Sequence, residues 1–301
     1  MKRSKSSPSI NSHAPRFYQR PSQGLGFAGI LLLAFLFTAC TSLSFTYNYA
    51  DWYVLWKVNH YFDISMNQKD FLQPRVTNLH LWHRTKQIPQ YVTLLKRIAR
   101  EFEDGLKEDE LQGMVHTYEQ LHNRLLERLI EEGSPFLSSL QQSQIQYFRN
   151  TIAEENQEFI EEIGETPEEQ LLWRIEETID WMEDWVGSLT PTQHAAIVKH
   201  GKELALFKPS WADNHVYRRH HLISYLSTSP PPKLIAQEIT NWFYIPPTKT
   251  LPGYESNIPK RKRNFIQLML KIDGILSEEQ RTRGLTNLQD LIQDLEALAA
   301  T

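Results

Sequence analysis

His80 and His83 stand three residues apart, a spacing that sets two imidazoles on one helical face where their ring nitrogens could take a metal ion. Trp82 lies between them and Arg84 follows at once. No third ligand is identifiable, so the pair reads first as packed and hydrogen-bonded. Asp51, beside Trp52 and Trp56 on an aromatic segment, is expected to reach His83 or Arg84 through a charge-assisted hydrogen bond. That contact would form the polar floor of a groove lined by Trp52, Trp56, Trp82 and Tyr91. Carboxylates recur as two stripes, Glu154, Glu158, Glu161 and Glu162, then Glu176, Glu177 and Asp180. Paired carboxylates become acid and base only where their surroundings drive their pKa values apart, and such stripes are ordinary on solvated helix faces. No GxSxG, HExxH, phosphate-loop or dinucleotide fingerprint occurs. The residues therefore point to a non-enzymatic protein with no metal and no cofactor, and the alternative is a metal-dependent hydrolase built on His80, His83 or the Glu stripes.

Two basic clusters stand out, Arg218 and Arg219 before His220 and His221, and the run Lys260, Arg261, Lys262 and Arg263. Each such cation near an anionic surface adds about 1 kcal/mol, so both are candidate contacts for anionic headgroups or an acidic partner. The second run follows Pro259 and is expected to open a helix, where positive charge opposes the macrodipole.

The only cysteine is Cys40. Ahead of it lie Lys2, Arg3, Lys5, Arg16 and Arg20 with no acidic residue, the apolar run Phe27–Phe37, and small Thr38 and Ala39. This is the order of a secretory signal, and the run is far below the roughly 20 apolar residues of a permanent span. Phe37-Thr38-Ala39-Cys40 resembles the lipobox of bacterial lipoprotein precursors, with Phe37 where Leu is usual. The resemblance implies a signal peptide over 1–39, a lipidated Cys40 carrying palmitate-type chains, a short tether over 40–46, and a single all-helical periplasmic domain over 47–301. One acyl chain holds a protein to a bilayer only marginally, whereas several hold it stably. Thr41 occupies the position where Asp would signal retention at the inner membrane, so the expected destination is the outer membrane, facing the periplasm.

Without residues 1–39 the chain loses five of its 32 Lys and Arg and keeps all 36 Asp and Glu, for a formal charge of −9 in place of −4. Such a surface argues against nucleic acid as a partner.

The elements that must carry these residues are helices. Phe45, Tyr49, Trp52 and Trp56 are spaced by four, three and four, and similar spacings join Tyr91 to Phe102, Leu111 to Leu129, Ile145 to Ile163, Leu172 to Val186 and Leu285 to Leu295. We expect an all-α, irregular bundle of about ten helices. Ser65 with Gln68, Thr166 with Glu169, Thr190 with Gln193 and Ser277 with Gln280 each read as a capping box, and Pro167 and Pro191 suit a first helical position. Pro74 is expected to kink or end its helix near Gln73, and Ser229–Pro232 and Ile245–Pro259 to be loops.

Leu189-Thr190-Pro191-Thr192-Gln193 matches the LTxxQ motif and so resembles the Spy and CpxP class of periplasmic stress proteins. Ile64 to Gln68 and Leu276 to Gln280 are near matches, and Leu140 with Gln144 is a poorer one. A longer similarity covers Tyr47-Asn48-Tyr49-Ala50-Asp51-Trp52, Tyr61 to Ile64, Leu81-Trp82-His83-Arg84, Ile88-Pro89-Gln90-Tyr91 and Asp184-Trp185-Val186-Gly187. On these segments the chain resembles an uncharacterised family of Gram-negative lipoproteins, which implies an exported helical protein and supplies no activity. The expected partners are the lipid bilayer, through Cys40, and an envelope protein or unfolded polypeptide, held in chaperone-like fashion or in a dedicated assembly.

Overall fold

A computed structural model describes residues 43–243 and 250–300, and among these every regular element is helical. Cys40, the signal sequence and the Pro246-Pro247 part of the second loop lie outside the described residues. In chain order the helices are α1 (Leu43–Asn48), α2 (Ala50–Phe62), α3 (Met66–Trp82), a π-turn (His83–Gln87), α4 (Ile88–Glu103), α5 (Glu108–Ser138), α6 (Gln142–Ile163) and α7 (Pro167–Val186). They continue as α8 (Pro191–Ala205), α9 (Trp211–Leu226), α10 (Pro232–Phe243), α11 (Tyr254–Asp273) and α12 (Glu278–Ala300). The expected all-α bundle is found, with α3, the π-turn and α4 forming one unbroken helical run.

All four expected capping boxes form, and Ser210 with Asp213 makes a fifth at the start of α9. Their Gln side chains do more than cap. Gln193 Nε2 donates to the Ile275 carbonyl (3.1 Å) and to Gln280 Oε1 (2.8 Å), while Gln280 Nε2 donates to the Ser188 carbonyl (2.8 Å) and to Gln193 Oε1 (3.1 Å). The two LTxxQ-like turns thus clasp each other reciprocally, each amide reaching the carbonyl just before the other's Leu. The same device recurs between the α2–α3 and α5–α6 turns. There Gln68 and Gln144 exchange amide hydrogen bonds of 3.1 and 2.9 Å, Gln144 also reaches the Phe62 and Asp63 carbonyls, and Gln68 reaches Ser139 Oγ. Leu140 is buried, and Ile64, Leu189 and Leu276 pack against the neighbouring cores. Four helical hairpins result, joined in two pairs at their turns.

Apolar side chains fill the space between the hairpins. Phe62, Phe136 and Phe148 meet with ring centroids 4.6 and 5.5 Å apart beneath Leu72, Ile145 and Ile235. Ile88, Val92 and Leu95 of α4 interdigitate with Leu288, Leu291, Ile292 and Leu295 of α12. Gly284 lets α12 approach α4, because a Cβ there would stand 2.9 Å from the Phe102 ring.

Four expectations about boundaries are corrected. Helix α1 begins at Leu43, so the second half of the expected tether over 40–46 is helical. Pro74 does not end α3, which runs on to Trp82: Pro74 and Asp70, whose carbonyl loses its donor, both face solvent, and water can satisfy the freed group. The second loop closes at Gly253 (φ +84°), and α11 carries Pro259 within it, so Lys260–Arg263 sit in its second and third turns and not at its start. Finally, the Tyr49, Trp52, Trp56 face points outward, because Leu55, Val58, Tyr61 and Phe62 supply a second apolar face that packs on α6 and its neighbours.

Candidate functional site

Pro89 has no N–H for the carbonyl one turn before it, and just upstream the helix widens, with the Ile88 N–H bonding the His83 carbonyl five residues back. Widening by one residue turns Gln87 fully into the interior, where its Nε2 donates to the Leu121 carbonyl (2.7 Å) and to Tyr91 Oη (3.2 Å). It also presents His83 and Arg84 to α1. Tyr47 Oη lies 2.8 Å from His83 Nδ1, Arg84 Nη2 donates to Asn48 Oδ1 (2.5 Å), and the Arg84 guanidinium lies over the Tyr47 ring at 5.3 Å. The His80 ring also meets Tyr47, tilted with centroids 4.6 Å apart, and Tyr91 closes the cluster against His83 at 5.8 Å. Tyr47, Tyr91 and Trp185 all pack on the α4–α12 core. Four of the five segments that carried the longer resemblance, from Tyr47-Asn48 to Asp184-Trp185, therefore meet in one place.

Electrostatics define what this cluster can do. Burial, reinforced by His80, holds His83 down at about 4. Burial and the Arg84 charge lower His80, with Asp51 opposing. Burial raises Tyr47 against the pull of Arg84, and burial also raises Tyr91 and Tyr118. At neutral pH the pair is thus a protonated phenol and a neutral imidazole that share one hydrogen bond between Tyr47 Oη and His83 Nδ1. Buried His83 Nε2, Gln87 Oε1 and Tyr118 Oη have no hydrogen-bond partner. A histidine at about 4 is poorly matched to proton transfer near neutrality. What the geometry does provide is a clasp that fastens the short α1 helix to the body.

The expected Asp51 contact to His83 or Arg84 is not the one formed. Tyr47 and Asn48, one helical turn earlier, take those partners, and Asp51 accepts from the Trp52 backbone N–H at 2.7 Å. Trp82 lies under Arg124 and Arg128 at 5.8 and 5.5 Å. Trp52 is 63% exposed and Trp56 46%, on the outer side of α2, so they line no groove with His83 and Tyr91. A shallow open depression lies beside Pro74, walled by Asp70, Gln73, Thr77 and Asn78. Sequence reasoning missed Gln87 and Tyr118, whose only advance signal was Pro89 placed shortly after a His-Arg pair.

The basic clusters are largely turned inward. Arg218 is 6% exposed, lies over the Trp242 ring (4.3 Å), donates to the Trp242 carbonyl, and is lowered by burial to about 10. Arg219 pairs with Glu155 (3.3 Å) and donates to Asn156 Oδ1 (2.9 Å). Arg261 donates to the Phe207 and Pro209 carbonyls, and Lys262 pairs with Glu119 at 2.9 Å. Lys260 donates to Asn257 from an exposed position, and Arg263 is exposed. Helix packing needs these cations as hydrogen-bond donors, which removes Arg218, Arg219 and Arg261 from any flat anionic contact. Among the described residues no group of three or more His, Cys, Asp or Glu is placed to hold a metal, and no helix is long and apolar enough to cross a membrane.

The model of a family of unknown function, DUF6279, matches residues 60–238, more than half of the chain. No curated protein and no solved structure matches.

Proposed function

We propose, for this chain, which belongs to the DUF6279 family of unknown function, the role of a non-enzymatic lipoprotein. It is anchored by an acylated Cys40 at the periplasmic face of the outer membrane and binds an envelope partner there. The observation that carries the reading is the join between Cys40 and the body. Seven residues after the only cysteine, which follows an apolar run, Tyr47 and Asn48 are clasped by the π-turn. The clasp holds α1 to the body with two hydrogen bonds and three ring contacts, so an acyl chain on Cys40 would be joined to the body through a short link. The aromatic face of α2 is held at the same end.

Fatty-acid labelling in a Gram-negative host tests the anchor. The wild-type chain takes up label and Cys40→Ser does not; equal labelling of both overturns the reading. Holding of unfolded polypeptide is its more specific form, supported by the LTxxQ resemblance, although the motif glutamines are consumed inside the paired turns. Purified mature protein that suppresses client aggregation at stoichiometric excess supports holding. A single dominant crosslinked product in intact envelopes supports one dedicated partner.

A further inference from the structure

We infer that the outward face of α2, made by Trp52, Tyr53 and Trp56, lies in the headgroup interface of the leaflet that holds Cys40; this rests on the lipoprotein reading above. The face is open: Trp52 is 63%, Tyr53 49% and Trp56 46% exposed, and Trp56 stands at i+4 from Trp52 and i+3 from Tyr53, neighbouring both on one side of the helix. It is not an unsatisfied core face, because Leu55, Val58, Tyr61 and Phe62 already bury the opposite side. Exposed aromatic residues in such a cluster mark a contact surface.

Three observations choose the leaflet as what covers it. The first is reach. Two residues, Thr41 and Ser42, separate Cys40 from Leu43 at the start of α1, three steps and at most about 11 Å of extended chain. From Leu43 to Trp52 the chain is helix broken at Tyr49, and helical rise with two full-length steps at the break allows at most about 18 Å. The face therefore lies within about 30 Å of the acylated sulfur, and the π-turn clasp on Tyr47 and Asn48 keeps α1 from swinging it away. The second is charge. From Thr41 to Phe62 only Asp51 and Lys57 carry formal charge, so this stretch is neutral in a chain whose mature form is strongly acidic and would be repelled elsewhere by an anionic leaflet. Lys57 lies over the Trp56 and Tyr61 rings at 5.3 and 5.7 Å, a cation placed beside the aromatic face. The third is side-chain chemistry. Trp and Tyr join a broad apolar ring to a polar N–H or O–H, the combination that suits the boundary between acyl chains and headgroups. A face of Leu and Phe would suit a polypeptide or the bilayer core equally. Docking would lay α2 along the membrane and orient the body, where an anchor alone leaves it free to tumble.

Tryptophan quenching tests the inference. The full chain is expressed in a Gram-negative host, and the mature lipoprotein is reconstituted into phosphatidylethanolamine and phosphatidylglycerol vesicles containing lipid brominated near the headgroup end of its acyl chains. Brominated lipid is expected to quench the emission. The exposed-site variant Trp52→Phe/Trp56→Phe, which keeps the other six tryptophans, is expected to lose most of that quenching. Protein that carries labelled fatty acid and floats with the vesicles, yet shows no quenching, overturns the docking and leaves the anchor standing. Protein that neither labels nor floats overturns both. Quenching unchanged in the double variant overturns the inference by pointing to another surface. Shielding of these tryptophans from acrylamide in detergent alone, growing with protein concentration, also overturns it, because a second copy then covers the face.

Discussion

Replacing Gln193 with Ala tests whether the paired turns hold the α7–α8 and α11–α12 hairpins together. The fully buried Gln193 accepts from the Thr190 N–H at 2.8 Å and donates to the Ile275 carbonyl and to Gln280. Its removal strands one backbone donor and one backbone acceptor, at about 1–3 kcal/mol each, so Gln193→Ala should cost about 2–6 kcal/mol. Gln280→Ala strands the Ser277 N–H and the Ser188 carbonyl by the same logic and should cost a similar amount. The two amides also share two hydrogen bonds with each other, which either single variant destroys. The double variant should therefore fall short of the summed singles by about 1–2 kcal/mol. Urea unfolding followed by far-ultraviolet circular dichroism measures all four corners of the cycle, with the slope checked for constancy. Costs that add to within about 0.5 kcal/mol would refute the reciprocal clasp, since residues without a shared interaction behave additively. Gln193→Glu is a sharper probe, for it keeps the acceptor to Thr190 but turns the donor toward Ile275 into a second acceptor, and it should cost at least as much as Ala.

Three further outcomes are expected. Because His83 is held at about 4 against an ordinary 6.5, the unfolded chain takes up its proton first as pH falls. Its contribution is complete above pH 6.5 and is lost between there and 4, about 3 kcal/mol in all, so urea midpoints should drop across that window and drop less in His83→Gln. Tyr47→Phe removes the 2.8 Å hydrogen bond to His83 at about 1 kcal/mol, and hydrogen exchange should speed up in residues 43–48 while α4 and α12 keep their protection. Gly284→Ala drives a methyl to 2.9 Å from the Phe102 ring and should lower the thermal midpoint by an overpacking cost of about 1–3 kcal/mol; an unchanged midpoint would mean the α4–α12 contact is looser than its geometry.

The contrast between Asp51 and Asn48 shows how far the site was legible in the sequence. The sequence placed Asp51, Trp52, Trp56, Trp82, His83, Arg84 and Tyr91 in one constellation, and the fold brings His83, Arg84 and Tyr91 together with Tyr47 and Asn48 instead of Asp51. It missed the partner by one helical turn, because the break at Tyr49 and the extra residue in the π-turn both shift register, and neither leaves a periodic mark. The basic clusters failed differently: a cation looks the same in sequence whether its head meets water or a buried carbonyl, and Arg218 meets the Trp242 carbonyl.

What the sequence determined by itself is local. Helix positions, the capping boxes at Ser65, Thr166, Thr190 and Ser277, and the pairing of Leu or Ile with Gln at four turns depend on neighbours within a few residues, where 3.6-residue periodicity and orphan backbone groups act. Tertiary structure alone decided which of two faces of α2 goes inside. That helix is apolar on nearly every side, with Trp52 and Trp56 on one face and Leu55, Val58 and Phe62 on the other, so periodicity gives no preference. The choice fell to the shape of the surface against which it packs, where Phe136 and Phe148 receive Phe62, and the tryptophans were left to face outward.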